Sequence, residues 1–518
     1  MKNTILVVIL FLSISLSAQD WQWAKRGGST DNITESFTVL KEQVVSMVTD
    51  SDNNVYILAP VGKNNLNIDG VPKTNYGNLN TVDYMIASFS CTGDYRWSKV
   101  IGGGGNDNDL MRNLVVDTDD NVYAVGFVKP AFTASTAVHF DDDVVLPTSS
   151  STTNTFKKSL FMIKYNKEGV FQWLRMPQAD NLSFTTANQT GCGNIVIDAN
   201  NNLTWLVAIP AGNYADGNYS TSGSGVNTHI LKYNSNGEFL SGSPFNAVFG
   251  AGTFYSMKLY SHPTNGTLYI VGEKAPDYTV TVGSQSVTGN AYVAAFSPTG
   301  TFLWLKQSSG QNIDLITSAI DAVGNIYFAG ETFNNMSFEG IVLTSPDTSS
   351  FPYLFKISSE GEPLWASTAS FSGALGNTLK GLVANGNEVL GTGGAFQLTW
   401  GNFSVTSPLG TGFDTYVATF NATTGVPTSL IELTSNVGCE DFGTAATVDS
   451  NGSYYIGGYF TCGLTIGSTT LQNTGQSDFF VAKYGTTDCS LSLAEQEASN
   501  LVAFPNPTKG LVQFSNSA

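Results

Sequence analysis

At 518 residues, with 53 glycines, 12% aromatic and only 12% charged side chains, the chain exceeds one conventional core and suits many short strands joined by small polar turns. Acidic residues outnumber basic ones 41 to 23, for a net charge of -18, and no basic patch interrupts them, so nucleic acid is disfavoured as a partner. Long helical patterns are absent.

Residues 1–18 read as a secretory signal peptide: Lys2, an apolar run from Ile5 to Leu16, then Ser15, Ser17 and Ala18 as small residues for cleavage. That run is too short to span a bilayer, no stop-transfer charge follows, and no later stretch could span. The expectation is an exported chain, secreted or at the cell surface, with no transmembrane segment after processing.

Residues 19–487 repeat one unit, clearest from Leu114 to Arg175. Two alternating apolar runs hinge on an Asp/Asn turn (LVVDTDDNVYAVGF). After a polar insert, two more hinge on a turn ending in Gly169 (SLFMIKYNKEGVFQWLR). Each unit is therefore two β-hairpins. The first unit runs from VVSMVTDSDNNVYIL to VDYMIASFSCTGDYRWSK, and the third to fifth follow with the same turns. The sixth (GLVANGNEVLGTGG, DTYVATFNATTGVPTSLI) is degraded, and the seventh stops one strand early at SDFFVAKYG. The missing strand has a donor: DWQWAKRGG, just after the leader, matches the unit-ending RWSKVIGG and has no strands before it. The pattern predicts an all-β fold, a seven-bladed β-propeller of four-stranded blades closed by the N-terminal strand completing the last blade.

Spacings between Tyr56, Tyr123, Thr204, Tyr269, Tyr327, Val389 and Tyr455 are 67, 81, 65, 58, 62 and 66 residues, longer than compact blades of roughly 40 to 50. The excess lies between second and third strands. LNIDGVPKT, VHFDDDVVLPT, TVTVGSQSVTG, MSFEGIVLTS, LTWGNFSVTS and LTIGSTTLQNTG each read as a short hairpin. These inserts and the blade-to-blade loops share one face, which is where a binding site is expected.

Of the five cysteines, none forms C-x-x-C. Cys439 and Cys462 flank the turn at Ser450 to Gly452 almost symmetrically, so they are expected to face each other in a disulfide.

DSDNN at Asp50 and DTDDN at Asp117 alternate carboxylates as calcium loops do, but lack the central Gly and distal Glu. Other units read DANNN, DAVGN and DSNGS there, which keeps turn chemistry and discards charge. Calcium is the one possible cofactor expectation: Asp107 and Asp109 in GGGGNDND half-match a calcium-binding nonapeptide. Asp141, Asp142 and Asp143 are expected to be solvated at a hairpin tip. Trp23, Trp97, Trp173, Trp304 and Trp365 recur at one position of the fourth strand, as inter-blade packing requires. There is no G-x-S-x-G or H-E-x-x-H, and His139, His229 and His262 fall in different units.

On DAVGNIYFAG, DTDDNVYAVG and the paired T/E-G-x-x-x-W turns, the repeat resembles the seven-bladed β-propellers of secreted bacterial proteins. The T-G-x-x-x-W form also resembles repeats of quinone-cofactor dehydrogenases, which commonly have eight blades and further cofactor ligands that find no match here. In residues 488–518, read as a linker and truncated module, AFPNPTKGLVQF resembles the start of the type IX secretion C-terminal sorting domain. Phe504, Pro505, Asn506, Pro507, Thr508 and Gly510 carry that likeness, and the chain reaches Ala518 within the module's first strands. The resemblance implies the type IX secretion machinery as a partner.

These readings converge on a non-enzymatic binding or adhesion protein recognising a surface polymer, glycan or envelope protein. The alternative is a carboxylate-dependent glycoside hydrolase or polysaccharide lyase at the channel mouth. A third reading is a purely structural ring.

Overall fold

The structure is a computed structural model. It describes residues 19–31, 34–35, 38–39, 41–76, 82–103, 110–128, 137–146, 159–177, 191–249, 257–275, 277–310, 313–333, 335–344, 350–370, 378–406, 412–436, 438–486, 489, 502–504 and 513–515. Among these every regular element is a β-strand, and no helix is long and apolar enough to cross a membrane.

Seven sheets share one antiparallel order, first strand to fourth. The first unit comprises Ser46–Thr49, Val55–Val61, Asp83–Phe89 and Tyr95–Gly103, and the second Leu110–Val116, Val122–Val128, Ser159–Tyr165 and Phe171–Arg175. The third is Gly191–Ile197, Leu203–Tyr214, Tyr219–Tyr233 and Phe239–Pro244; the fourth is Met257–Ser261, Leu268–Glu273, Ala291–Phe296 and Phe302–Ser309. Ile313–Ile320, Ile326–Thr332, Phe351–Ile357 and Pro363–Thr368 make the fifth, and Thr378–Asn385, Glu388–Ala395, Asp414–Asn421 and Pro427–Glu432 the sixth. In the seventh, Asp441–Val448, Tyr454–Phe460 and Asp478–Gly485 are followed by Asp20–Gly28 in the fourth place, with Trp23 opposite Lys483. The arrangement is that of a β-propeller.

Period-two side-chain alternation explains why the middle strands are apolar throughout. In Val122–Val128, Val122 and Ala124 pack with Tyr56 and Leu58 of the first unit. Tyr123 and Val125 point the other way, onto Cys192, Trp205 and Val207 of the third. Each sheet is thus buried on both faces by its neighbours.

The conserved spacing of tryptophan and glycine within this one chain has a mechanical meaning. Trp97 Nε1 donates to the Lys167 carbonyl at 2.8 Å, Trp173 to Ser235 at 3.1 Å and Trp365 to Ala422 at 3.0 Å, each in the next unit's third-to-fourth turn. Beside those carbonyls lie Gly169, Gly237 and Gly425, all at positive φ, where an added Cβ would meet the indole at 2.5 to 2.9 Å. Only glycine supplies both the turn and the clearance.

The Asp turns form a second set of links. Asp50 accepts the Asp52 and Asn54 backbone N–H groups and the Tyr56 hydroxyl. Asp117 does the same with Asp119, Asn121 and Tyr123, and Lys164 Nζ lies 3.6 Å away. These carboxylates are committed to turn and core donors, as the turn reading requires. The left-handed position holds Asn53, Asp120, Asn201, Gly324 or Gly452. There Asn53 Oδ1 accepts from Ser450 and Asp120 from Ser51, joining the turns of consecutive units.

Each of the seven inserts reaches back to the end of the preceding unit's fourth strand or to the segment just after it. Asn67–Ile68 pairs with Gly27 and Gly28, Val138 with Gly103, Val282 with Ala247, and Phe338 with Ser308. Ala215 N–H donates to Pro177, Ser370 bridges Thr399, and Thr465 pairs with Thr434. The inserts thereby cover strand edges that would otherwise be exposed.

Candidate functional site

Backbone bulges in the first strands turn selected side chains towards the axis. Pairing with the second strand shifts between Met111 and Leu114, Cys192 and Ile195, Leu315 and Thr317, Leu379 and Gly381, and Gly443 and Ala445. A bulge places two residues against one and re-aims the extra side chain. Arg112, Asn113, Asn194 and Thr444 sit in these irregularities.

All seven first strands line one cavity of about 460 Å³. Its wall is Val45 to Val48, Arg112 and Asn113, Asn194, Lys258 to Tyr260, Thr317 to Ile320, Gly381 to Ala384, and Thr444 to Thr447. Bonds between adjacent strands tie the wall together. Asn113 exchanges two hydrogen bonds with the Ile195 backbone, Leu114 N–H donates to Ser46 Oγ, and Thr444 Oγ1 donates to the Val44 carbonyl. Arg112 Nη2 reaches the Met257 carbonyl at 3.3 Å, past the intervening third unit, and Lys258 Nζ donates to Thr317 Oγ1 at 3.2 Å. Burial pushes the Lys258 ammonium down to about 8, and the Arg112 charge adds to that shift. Among the described residues that line this cavity none is a carboxylate.

Carboxylates gather instead where second strands lead into inserts. Asp314 and Glu331 stand directly opposite on paired strands, and Glu273 ends the second strand of the neighbouring unit. Burial raises Glu273 to about 7, with Asp314 contributing; burial also raises Asp314, and burial plus Asp314 raises Glu331. Like charges opposite one another favour sharing of a proton. Among the described residues no three His, Cys, Asp or Glu side chains are placed to hold a metal ion.

Asp107 and Asp109 lie outside the described residues, as do residues 1–18 and Pro505 to Gly510. Cys439 and Cys462 are joined, Cα to Cα 5.8 Å, at the open end of the first hairpin of the seventh unit. The sequence gives no sign of a second disulfide, Cys91 to Cys489, which lies 398 residues apart in sequence. A domain boundary at 487 leaves Cys489 in the linker, whereas this bond ties it to the first unit. The Asp run is less solvated than expected: Lys99 pairs with Asp141 at 2.7 Å and Tyr76 donates to Asp142, so two of its three carboxylates have protein partners. His139 stacks on Tyr76, His229 Nδ1 bonds Tyr219, and His262 packs over Gly324, so the three histidines do not converge. Arg112 and Lys258 escape sequence reading, although a charge inside the apolar runs LMRNLVV and MKLYS is the available signal.

No protein-family model and no curated protein matches this chain. Solved structures similar to it include the quinohemoprotein alcohol dehydrogenase of Comamonas testosteroni, at 10% identity and TM-score 0.37, covering 90% of this chain and 76% of that one. A protein of unknown function from Dyadobacter fermentans DSM 18053 is 12% identical, TM-score 0.37, with 89% and 99% covered. The phage phi92 endosialidase is 11% identical, TM-score 0.38, with 95% and 74% covered. Likeness at this level says nothing about chemistry or blade number.

Proposed function

We propose that the chain is an exported seven-bladed β-propeller, closed by Asp20–Gly28, that binds a ligand at its axial cavity without transforming it. The carrying observation is the wall: seven first strands contribute to one cavity, whose described lining is mainly hydroxyl, amide and apolar side chains. The Ser, Thr, Asn and Tyr side chains of that wall suit hydrogen bonding to, and ring contact with, a glycan or surface polymer. Because the inserts are occupied in covering edges, the binding role moves from their face to the axis. A glycan array probed with the mature chain, beside a hydrolase and lyase screen, tests the reading. Binding without turnover is the expected result.

Glu273, Asp314 and Glu331 favour the second reading, a glycoside hydrolase or polysaccharide lyase at the mouth, since one carboxyl is held protonated near neutrality. Turnover lost in both Glu273→Gln and Asp314→Asn would establish it and displace the binding reading.

Delivery by the type IX machinery completes the proposal, supported by the leader and the Phe504 to Gly510 motif. Val502–Phe504 pairs antiparallel with Gln513–Ser515. In a host with the machinery the chain should reach the surface or medium, and without it remain in the periplasm. Equal distribution in both hosts would overturn this.

A further inference from the structure

We propose that the Cys91–Cys489 disulfide is a thiol-exchange site, at which a small thiol attacks Cys489 and Lys483 holds the departing Cys91 sulfur as a thiolate. The inference goes beyond ligand binding at the axis and stands on different residues. Cys91 lies in the third-to-fourth turn of the first unit, and Cys489 follows the third strand of the seventh, Asp478–Gly485. The bond therefore ties the first unit to the seventh.

The repeat supplies its own comparison. Lys164, Lys356 and Lys483 occupy one register position, opposite Tyr123, Tyr327 and Tyr455. Each has the Asp of its own unit's turn, Asp117, Asp321 or Asp449, at 3.6 to 4.0 Å. Lys164 Nζ donates to the Ser235 carbonyl at 3.0 Å and Lys356 Nζ to the Ala422 carbonyl at 2.8 Å, both in the third-to-fourth turn of the next unit. Cys91 holds the same turn position as Ser235 and Ala422, yet Lys483 Nζ donates to its Sγ at 2.7 Å and lies 3.5 Å from Cys489 Sγ. A disulfide sulfur is a weak acceptor, whereas a thiolate is a strong one. The contact therefore strengthens as the bond opens, which favours opening. Lys483 is 0% exposed; burial lowers its pKa, and Asp449, 3.7 Å away, opposes that shift.

Exposure selects the sulfur that is attacked. Cys91 is 5% exposed, whereas Cys489 is partly exposed. The incoming thiol loses its proton to solvent, and its sulfur bonds to Cys489 Sγ as the Cys91–Cys489 bond breaks. The electron pair of that bond leaves on Cys91 Sγ, beside the Lys483 ammonium. The products are a mixed disulfide on Cys489 and a thiolate on Cys91. The thiol is the only co-reactant, and the number of disulfide bonds is unchanged.

Incubation of the mature chain with reduced glutathione, followed by denaturation in N-ethylmaleimide and peptide mapping by mass spectrometry, tests this. Glutathione should appear on Cys489 and the maleimide on Cys91, with Cys91–Cys489 opening before Cys439–Cys462. Lys483→Met should slow opening of Cys91–Cys489 about threefold or more and leave the Cys439–Cys462 rate unchanged. If that variant misfolds, both bonds open together, and the adduct position and order of opening in the unmodified chain decide. Glutathione on Cys91, opening of Cys91–Cys489 no faster than Cys439–Cys462 in the unmodified chain, or an unchanged rate in folded Lys483→Met would overturn the inference.

Discussion

The indole N–H of Trp23 donates to the carbonyl of Cys91 across 2.9 Å, and its ring occupies the space that a Cβ on Gly93 would need, 2.7 Å away. This is the latch made by Trp97 and Trp173 between consecutive units, made here between the N-terminal strand and the first unit. If Asp20–Gly28 is the closing strand, Trp23→Ala should be destabilising, though by less than Trp97→Ala, for which about 3–5 kcal/mol is expected, because Trp97 is buried and Trp23 only partly so. Chemical unfolding of the two variants measures this. A neutral Trp23→Ala beside a costly Trp97→Ala would leave the first strand unattached.

Glycines of the latch separate two physical effects. Gly169 has φ +78 and faces Trp97 at 2.5 Å, whereas Gly386 has φ +55 and nothing within 4 Å. Gly386→Ala should cost only the left-handed backbone penalty, about 1–2 kcal/mol. Gly169→Ala should cost about 1–3 kcal/mol more, because the indole must also move. Equal losses on thermal unfolding would show that the indole yields freely.

Two disulfides make an accounting of sulfur that peptide mapping can check. Non-reduced digests should contain the Cys91–Cys489 and Cys439–Cys462 pairs, with Cys192 in neither. Cys439→Ser should cost about 3 kcal/mol in the chain-entropy view of a short loop, since only 23 residues separate the partners. Cys91→Ser should also release the segment after Gly485, read as faster proteolysis there.

Repeat, turn and insert chemistry were legible in the sequence because each obeys a local rule. Alternation gives strands, D-x-x-G-N gives the Asp turn, and T-G-x-x-x-W places indole and glycine at fixed offsets. Even the hairpin inserts show as local patterns. Their pairing partners do not, because Ile68 meets Gly27 across 41 residues with no local rule linking them. The axial site was hidden for a related reason. Arg112 and Asn194 enter the cavity through bulges, and a bulge breaks the alternation from which strand faces are read. Cys91 and Cys489 likewise lack any local spacing rule.

Stability should fall as pH rises from about 4 to about 7, and Asp441 supplies a specific test. Burial raises its carboxyl to about 7, with Asp414 and Glu440 adding to the effect. Between the ordinary carboxylate value and 7, the folded state holds a proton that the unfolded chain has released. The unfolded state therefore gains as pH rises through this window, and the stabilisation is lost above it. Asp441→Asn removes the titration at nearly constant volume. Its melting temperature should exceed that of the parent by about 1–2 °C or more at pH 8 and match it near pH 4. A pH-independent difference would deny the linkage.

Lys258 titrates with the opposite sign. Its folded value, about 8, lies below the 10.5 of an ordinary lysine, so between these values the unfolded chain binds the additional proton. Stability contributed at this position should therefore rise from pH 8 to 10.5. Arg112 from the second unit faces it as a like charge, Thr317 accepts its hydrogen bond, and Asn194, Tyr260 and Ser318 complete the nearby polar wall. Removing the like charge in Arg112→Gln should move the Lys258 titration upward, whereas loss of cavity hydration alone would move it down. Reductive methylation with a carbon-labelled reagent lets magnetic resonance follow the amine directly. An apparent value near 8 that rises in Arg112→Gln is the expected result, and an ordinary lysine value in both proteins would remove the electrostatic coupling between the two cations.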